Sequence, residues 1–225
     1  MSCPQLGFTF FELDGIKVHP TTMSTPRTTS KKMGRPRAFR EEAALDAAMR
    51  VFWQKGFEGA SLDDLTEAMK INCSSLYSTF GDKERLFRMV IDRYAAGPMA
   101  FFFEALKQPT ARAVIEALLR GSVRFFDDPA HPRGCLSLQG GLACGTGAEG
   151  VQKAMIEWRD SGQSQLQKRL QRARAEGDLR KDVDAKDLAR YIAIVLNGLA
   201  VQSVNGATQT EMNRAVELAL RSMPI

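Results

Sequence analysis

The chain has 225 residues, 44% of them apolar and 25% charged, with a formal net charge of +5. These values exclude a small disulfide-stapled peptide and a low-complexity chain, and no run of eighteen apolar residues predicts a membrane span. We therefore expect a cytoplasmic globular protein of one large or two small domains, without a membrane partner. Its four cysteines lack disulfide or metal-site spacing, so reduced thiols are expected, with no metal and no cofactor.

Residues 1–33 are predicted to form a disordered extension that ends in a basic arm. Residues 27–40 contain six lysines and arginines and no acid, among proline, glycine, serine and threonine. This composition indicates a mobile arm with a polyanionic partner such as nucleic acid, although a solvated tail that binds nothing has the same composition. Residues 34–37, Gly-Arg-Pro-Arg, resemble half of an AT-hook for the minor groove. The predicted DNA contacts of the arm are Lys31, Lys32, Arg35 and Arg37.

Two short helices are predicted to follow a longer first helix. Apolar residues recur at helical spacing from Phe39 to Trp53, and Gly56 stops that helix. Ser61 begins a capping-box pattern for the second helix, and Asn72 caps the third. A two-turn helix, a tight turn and a second short helix within about twenty residues are typical of a helix-turn-helix.

The rest of the chain keeps a helical period to its end. Helices are predicted from Asp82, from Met99, through 114–125, over a short segment at 135–145 and along 151–176. Asp184 and Thr208 cap the last two helices. No run of alternating β-branched residues suggests a strand. The fold class is therefore predicted to be all-α.

Residues 34–93 resemble the DNA-binding domain of the TetR family of bacterial repressors. The resemblance rests on Gly56-Phe57, a helix opening at Ser61, Leu76-Tyr77, Phe80, and Lys83 with Leu86 at the start of the fourth helix. One departure is Met69-Lys70-Ile71, where the family commonly has Ala-Gly-Val. The resemblance implies a three-helix helix-turn-helix domain at 34–82 joined to a larger helical effector-binding and dimerisation domain at 83–225.

The third helix has the composition expected of a recognition helix. Its small hydroxyls allow the backbone to approach base edges and still form hydrogen bonds, while Leu76 and Phe80 anchor it from below. By the family's pattern Tyr77, Lys83 and Ser61 would contact phosphates. The predicted DNA-binding residues beyond the arm are Ser61, Asn72, Cys73, Ser74, Ser75, Tyr77, Ser78, Thr79 and Lys83. Taken singly, each of these residues also suits an ordinary solvated helix face.

Dimerisation is predicted from the helix over 185–205, which is apolar nearly all round. One face would fill its own core and the other would meet a two-fold partner, unless the helix is buried wholly within one subunit. The predicted interface residues are Leu196, Leu199, Val201, Met212, Val216 and Leu220. An unidentified small-molecule effector is expected among Phe102, Phe103, Phe125, Phe126, Met155 and Trp158, which also suit a plain core.

The function implied by the residues and the resemblance is a DNA-binding transcriptional regulator. It would be a homodimeric repressor that leaves a near-palindromic, double-stranded operator when the effector binds. One alternative is a regulator of the same fold switched by a thiol, with Cys73, Cys135 or Cys144 as its sensor. An enzyme with a cysteine nucleophile is the other, but the only imidazoles, His19 and His131, show no arrangement with a cysteine. We expect no enzymatic activity.

Overall fold

The computed structural model describes residues 37–142, 145 and 147–224, with the backbone alone described for residues 37–40. Every regular element in these ranges is a helix. In chain order they are α1 (Arg37–Gly59), α2 (Leu62–Met69), α3 (Cys73–Phe80), α4 (Lys83–Ala96), α5 (Ala100–Leu106), α6 (Ala111–Phe126), α7 (Leu136–Gln139), α8 (Glu149–Ala175), α9 (Ala185–Val204) and α10 (Gln209–Ser222).

Local capping sets where most of these helices begin. Side-chain oxygens of Asn72, Asp82 and Thr110 accept hydrogen bonds from the free backbone N–H groups of the first turns of α3, α4 and α6. Asp184 caps α9 in the same way, and Thr208 forms a complete capping box at α10. The predicted helix starts at 72, 82, 184 and 208 are therefore confirmed.

The predicted stop at Gly56 is confirmed as a sharp kink within α1. Gly56 has φ 71° and ψ 176°, a conformation open to glycine and strained for other residues. The chain turns there, and the ring of Phe57 stacks on Phe52 with centroids 6.2 Å apart and meets Phe87 edge-on at 5.3 Å. The end of α1 is thereby fixed against α4.

One apolar core runs through the described helices. Among α1, α2 and α3, this core contains Phe52, Trp53, Leu65 and Leu76, all fully buried. Further along, α5 packs on α6, α6 contacts α9 and α10, and α8 lies along α9. The short helix α7 lies between α1 and α8.

Two sequence expectations about helices are corrected by the structure. Among the described residues of the segment predicted as a short helix over 135–145, only the four of α7 are helical, because glycines at 140 and 141 follow directly. Arg37, predicted as part of an arm before the first helix, is the first residue of α1. Across the described ranges, no helix has both the length and the apolar character needed to cross a membrane.

Candidate nucleic-acid interface

The helix pair α2 and α3 is held by a capping box and a left-handed turn. Ser61 Oγ accepts from Asp64 N at 3.0 Å, and the Asp64 carboxylate accepts from Ser61 N at 3.0 Å. Lys70 ends α2 with φ 55° and ψ 43°, and its N–H reaches the carbonyls of Thr66 and Glu67. Asn72 Oδ1 then accepts from Ser75 N at 2.7 Å and starts α3. The predicted helix-turn-helix is therefore present, with lysine in the left-handed position.

The capping box also carries a charge interaction. Lys55 of α1 lies 2.6 Å from Asp64 Oδ1. Hydrogen bonding to Lys55, followed by hydrogen bonding to Ser61, lowers the pKa of the Asp64 carboxyl to about 2. The carboxylate is thus fully ionised near neutral pH, and it ties the start of α2 to the end of α1.

Helix α3 has one buried side and one side exposed to solvent. Leu76 and Phe80 are buried and fix the helix to the core. The opposite side is exposed and polar, and Tyr77 projects from it with half of its surface accessible. Of the residues predicted to touch DNA, the exposed ones are Ser61, Asn72, Cys73, Ser74, Tyr77 and Ser78; Ser75 and Thr79 are half-buried. The exposed face of α3 carries no charged side chain.

Some of these polar groups already have partners within the chain. The side-chain oxygen of Asn72, Oδ1, already accepts the hydrogen bond that caps α3. The Ser78 hydroxyl donates to the backbone carbonyl of Ser75 at 3.2 Å. A serine hydroxyl keeps acceptor capacity when it donates, so Ser78 can still accept from a base.

Lys83, a predicted phosphate contact, lies at the first turn of α4 with its ammonium 4.6 Å above the ring of Phe57. Desolvation lowers its pKa, and the nearby Glu58 carboxylate opposes that shift. The lysine is half-buried, so its position is set by packing on the end of α1. The ammonium is therefore held against the end of α1.

The basic arm lies outside the described residues, together with the predictions for Lys31, Lys32 and Arg35. The side chain of Arg37 is also outside them, although its backbone starts α1. These four contacts remain predictions.

Half of the six predicted effector residues are buried and half are half-buried. Phe125, Phe126 and Met155 are buried, whereas Phe102, Phe103 and Trp158 are half-buried. A cleft of about 680 Å³ lies elsewhere, between the end of α8 and the start of α9, and polar residues such as Gln171, Lys181 and Asp184 line most of it. None of the six predicted residues lines that cleft. The prediction of an aromatic pocket therefore remains untested.

A group of rings that the sequence did not reveal surrounds Phe125. The ring centroids of His131 and Phe125 lie 4.4 Å apart. Trp53 of α1 stacks on His131, and Tyr94 meets Trp53 edge-on with centroids 5.0 Å apart. These residues come from α1, α4, α6 and the loop before α7, so only the fold brings them together. The loop prolines beside His131 were the one local signal, and they predict a turn and no ring contact.

The described cysteines differ in their surroundings. Cys73 is exposed at the start of α3. Cys135 is half-buried before α7, with its sulfur 3.3 Å from Tyr94 Oη and 3.0 Å from Ser137 Oγ. Burial, then the neighbouring Cys135, raises the pKa of Tyr94 well above its ordinary value. Cys144 lies outside the described residues.

Four of the six predicted interface residues lie inside the single chain. Leu199, Met212, Val216 and Leu220 are buried where α9 and α10 pack on α6, and Leu196 is half-buried. An outward partner cannot reach the buried four, so they are corrected to core residues. Val201 alone of the six is exposed, by 50%. The exposed apolar side chains on these helices are Tyr191, Ile194, Val201, Val204 and Leu218, here called the α9–α10 face.

Comparison with known families matches both parts of the chain. Residues 44–90 match the model of "Bacterial regulatory proteins, tetR family", and residues 111–219 match "Tetracyclin repressor-like, C-terminal domain". The first match spans the candidate interface from α1 into α4. The second spans α6 to α10.

Related proteins agree with these matches. The HTH-type transcriptional repressor ComR of Escherichia coli K12 is 30% identical over 208 residues, which cover 90% of this chain and 98% of ComR. The repressor BdcR of the same organism is 34% identical over 49% of this chain and 57% of its own. A structure of the TetR family regulator CifR, a cysteine mutant complexed with 26-bp double-strand operator DNA, is 40% identical with a TM-score of 0.81, covering 84% of this chain and all of that one.

Proposed function

The chain belongs to the tetR family of bacterial regulatory proteins, and from this premise we propose that it is a repressor that binds a near-palindromic operator as a homodimer and leaves it when a small molecule binds. The observation that carries the proposal is the exposed, uncharged hydroxyl face of α3, which two buried side chains hold outward. Such a helix can enter a major groove about 12 Å wide without repelling phosphates.

Residues 34–82 would form the DNA-binding domain and residues 83–225 the effector-binding and dimerisation domain. The proposed contacts to bases are the exposed residues of the first turns of α3, with Ser75 and Thr79 at their edge. Tyr77, Ser61 and Lys83 would bind phosphates, and Lys31, Lys32, Arg35 and Arg37 would follow the backbone beyond them. Phosphate contacts set the register of a protein on DNA, and base contacts select the sequence.

The dimer would form through the α9–α10 face. Its five large apolar side chains are 42–65% exposed, and exposed apolar side chains grouped on two helices favour a partner. A two-fold axis buries the same face on both copies. It also sets two α3 helices about one DNA turn apart, roughly 34–36 Å, which is why the operator would be near-palindromic.

The effector would act through the contact between α1 and α7. Phe57 N donates to the Gly140 carbonyl at 3.1 Å, and Gly145 N donates to Glu58 Oε1 at 3.1 Å. These bonds join the end of the DNA-binding helices to the segment next to the aromatic group around Phe125. A ligand that favours a different α7 position lowers operator affinity by its differential affinity for that state.

A thiol-switched regulator is the second candidate, and the surroundings of Cys135 favour it over an enzyme. The described partners of the Cys135 sulfur are the hydroxyls of Tyr94 and Ser137, and neither is a base that would activate a nucleophile. Oxidation of the Cys135 thiol would instead disrupt its two hydrogen bonds beside α7. Operator release by a thiol oxidant that persists in Cys73→Ser but disappears in Cys135→Ser would favour this candidate.

The test of the proposed function is selection of bound sequences from a random DNA pool, followed by gel shift with competitor DNA. Saturable retention of a selected near-palindrome by a dimer is the expected result. A compound that releases this DNA should also raise the melting temperature of the protein, because one differential binding energy produces both effects. Retention without sequence preference would contradict the proposal.

A further inference from the structure

Lysine occupies a backbone conformation at position 70 that disfavours it. Lys70 is the non-glycine residue with positive φ among the described residues, at φ 55° and ψ 43°. This conformation is sterically strained for an L-residue with a Cβ, whereas glycine adopts it without strain. The Lys70 side chain is exposed and forms no hydrogen bond or ion pair with any described residue, so no contact within the described chain offsets that strain.

Lys70 lies in an acidic part of the chain. Residues 56–82 contain five carboxylates and one cation, Lys70, for a formal charge of −4. Three of these carboxylates have partners that fix them: Asp64 binds Lys55, Glu58 accepts from Gly145 N, and Asp82 caps α4. Asp63 and Glu67 are exposed on α2. A helix pair of this charge would be repelled by a phosphate backbone unless a cation is correctly placed.

Lys70 is placed at the entry to α3. It precedes Asn72, the N-cap of that helix, by two residues. Its four-carbon stem carries the ammonium roughly 6 Å from the backbone, without a partner that would hold it back. When the first turn of α3 lies in the groove, the ammonium can reach a phosphate at the groove edge.

We propose that Lys70 is an operator-binding residue that contacts a DNA phosphate beside the first turn of α3. It is the one cation within residues 56–82 and would act together with Lys83 at the start of α4, and the strained backbone is retained for this purpose. The inference rests on the proposed function, because it requires α3 to enter DNA. It assigns Lys70 to affinity and leaves base selection to the exposed face of α3.

The test compares Lys70→Gly, Lys70→Asn and Lys70→Arg with the wild type on the selected operator. Asparagine tolerates the left-handed conformation without charge, and arginine keeps both the charge and the backbone cost. Operator affinity is measured from 50 to 200 mM salt, and melting temperature is measured without DNA. Lys181→Asn, a change of equal charge in the loop before α9, is the matched control.

Loss of one phosphate contact should lower the salt slope by roughly 0.9, which corresponds to about fivefold weaker binding at 0.15 M salt. We expect this loss in the Gly and Asn variants, for the operator and for unrelated DNA alike, and a slope near wild type in the Arg variant and the Lys181 control. The Gly variant should melt at a higher temperature than the wild type.

Three results would overturn the inference. One is a Lys70→Gly protein with unchanged affinity and slope while wild type still selects its operator, which leaves the proposed function standing. Another is an Arg variant that loses as much as the Gly variant, which shows that charge is not the cause. The third is a Gly variant that melts lower than wild type, which shows that the left-handed lysine is not strained. Failure of the wild type to select any sequence would instead remove the proposed function itself.

Discussion

The indole of Trp53 in α1 stacks on the imidazole of His131, with ring centroids 4.7 Å apart and planes inclined by 14°. Trp53 belongs to α1, the helix that α2 and α4 pack against, whereas His131 belongs to the loop that leads to α7. The DNA-binding helices and the larger helical part therefore share this ring contact.

Substitutions at Trp53 should separate ring packing from hydrogen bonding. Trp53→Ala removes a fully buried ring and should cost about 3–5 kcal/mol of unfolding free energy in urea titration. Trp53→Phe should cost about 1–2 kcal/mol, because the buried indole Nε1 has no hydrogen-bond partner among the described residues to lose. Equal costs for the two variants would mean that the N–H contributes to the fold.

Two neighbouring positions on α9 should respond differently to charge. Val201→Glu adds a carboxylate to the exposed α9–α10 face and should give a folded monomer, since only the partner surface is affected. Leu199→Glu places the carboxylate in the core of one chain and should unfold it. Sedimentation velocity with circular dichroism distinguishes these results. A wild-type protein that sediments as a monomer at micromolar concentration would contradict the proposed dimer.

Lys83 and Ser78 should affect DNA binding in distinct ways. Lys83→Ala removes a cation, so affinity should fall for every DNA sequence and the salt slope should drop by roughly 0.9. Ser78→Ala removes no charge and should leave the slope unchanged while altering base preference, at a cost of about 1–3 kcal/mol for a good contact. A change of base preference in Lys83→Ala at constant slope would mean that α3 docks differently.

The two parts of the N-terminal extension should differ in importance. Deletion of residues 1–22 should leave operator affinity intact. Deletion of residues 1–36 also removes the four basic residues of 23–36, so it should weaken binding and flatten its salt dependence. Fluorescence anisotropy across a salt series measures both quantities. Equal affinity of the two truncated proteins would show that the arm does not bind DNA.

Acid should act on the capping box of α2. The folded pKa of Asp64, about 2, lies below its ordinary value of 3.8, so its ionised form stabilises the fold above pH 4 and this contribution is lost as pH falls toward 2. Asp64→Asn should therefore flatten the fall in melting temperature between pH 4 and pH 2. An identical pH profile in the two proteins would show that other carboxylates dominate acid unfolding.

Features encoded within a few residues were predictable from the sequence. The caps at Ser61 and Asn72 and the stop at Gly56 depend on neighbours three or four positions away, and the structure has them where the pattern predicts. The left-handed turn also survives the departure from glycine at Lys70. The polar face of α3 followed from the spacing of Leu76 and Phe80.

Features set by distant contacts were not predictable. An all-round apolar helix such as α9 does not indicate which face meets its own core, so Leu199 was assigned to a partner and lies inside. His131 gave no sign of stacking on Trp53, which is 78 residues earlier in the chain. Likewise, α7 ends at two glycines, where a Cβ at Gly140 would meet Phe87 of α4 and a Cβ at Gly141 would meet Met155 of α8, and helical period alone overestimated its length.

If a ligand releases the operator as proposed, the kink at Gly56 implies that a single methyl group would have the same effect. A Cβ at this position would lie 2.9 Å from the carbonyl oxygen of Gln139, and φ 71° is unfavourable for any such side chain. Gly56→Ala would therefore push the end of α1 away from α7 without any ligand. A cell that carries this variant would express the controlled gene constitutively, although the recognition residues of the variant are those of the wild type.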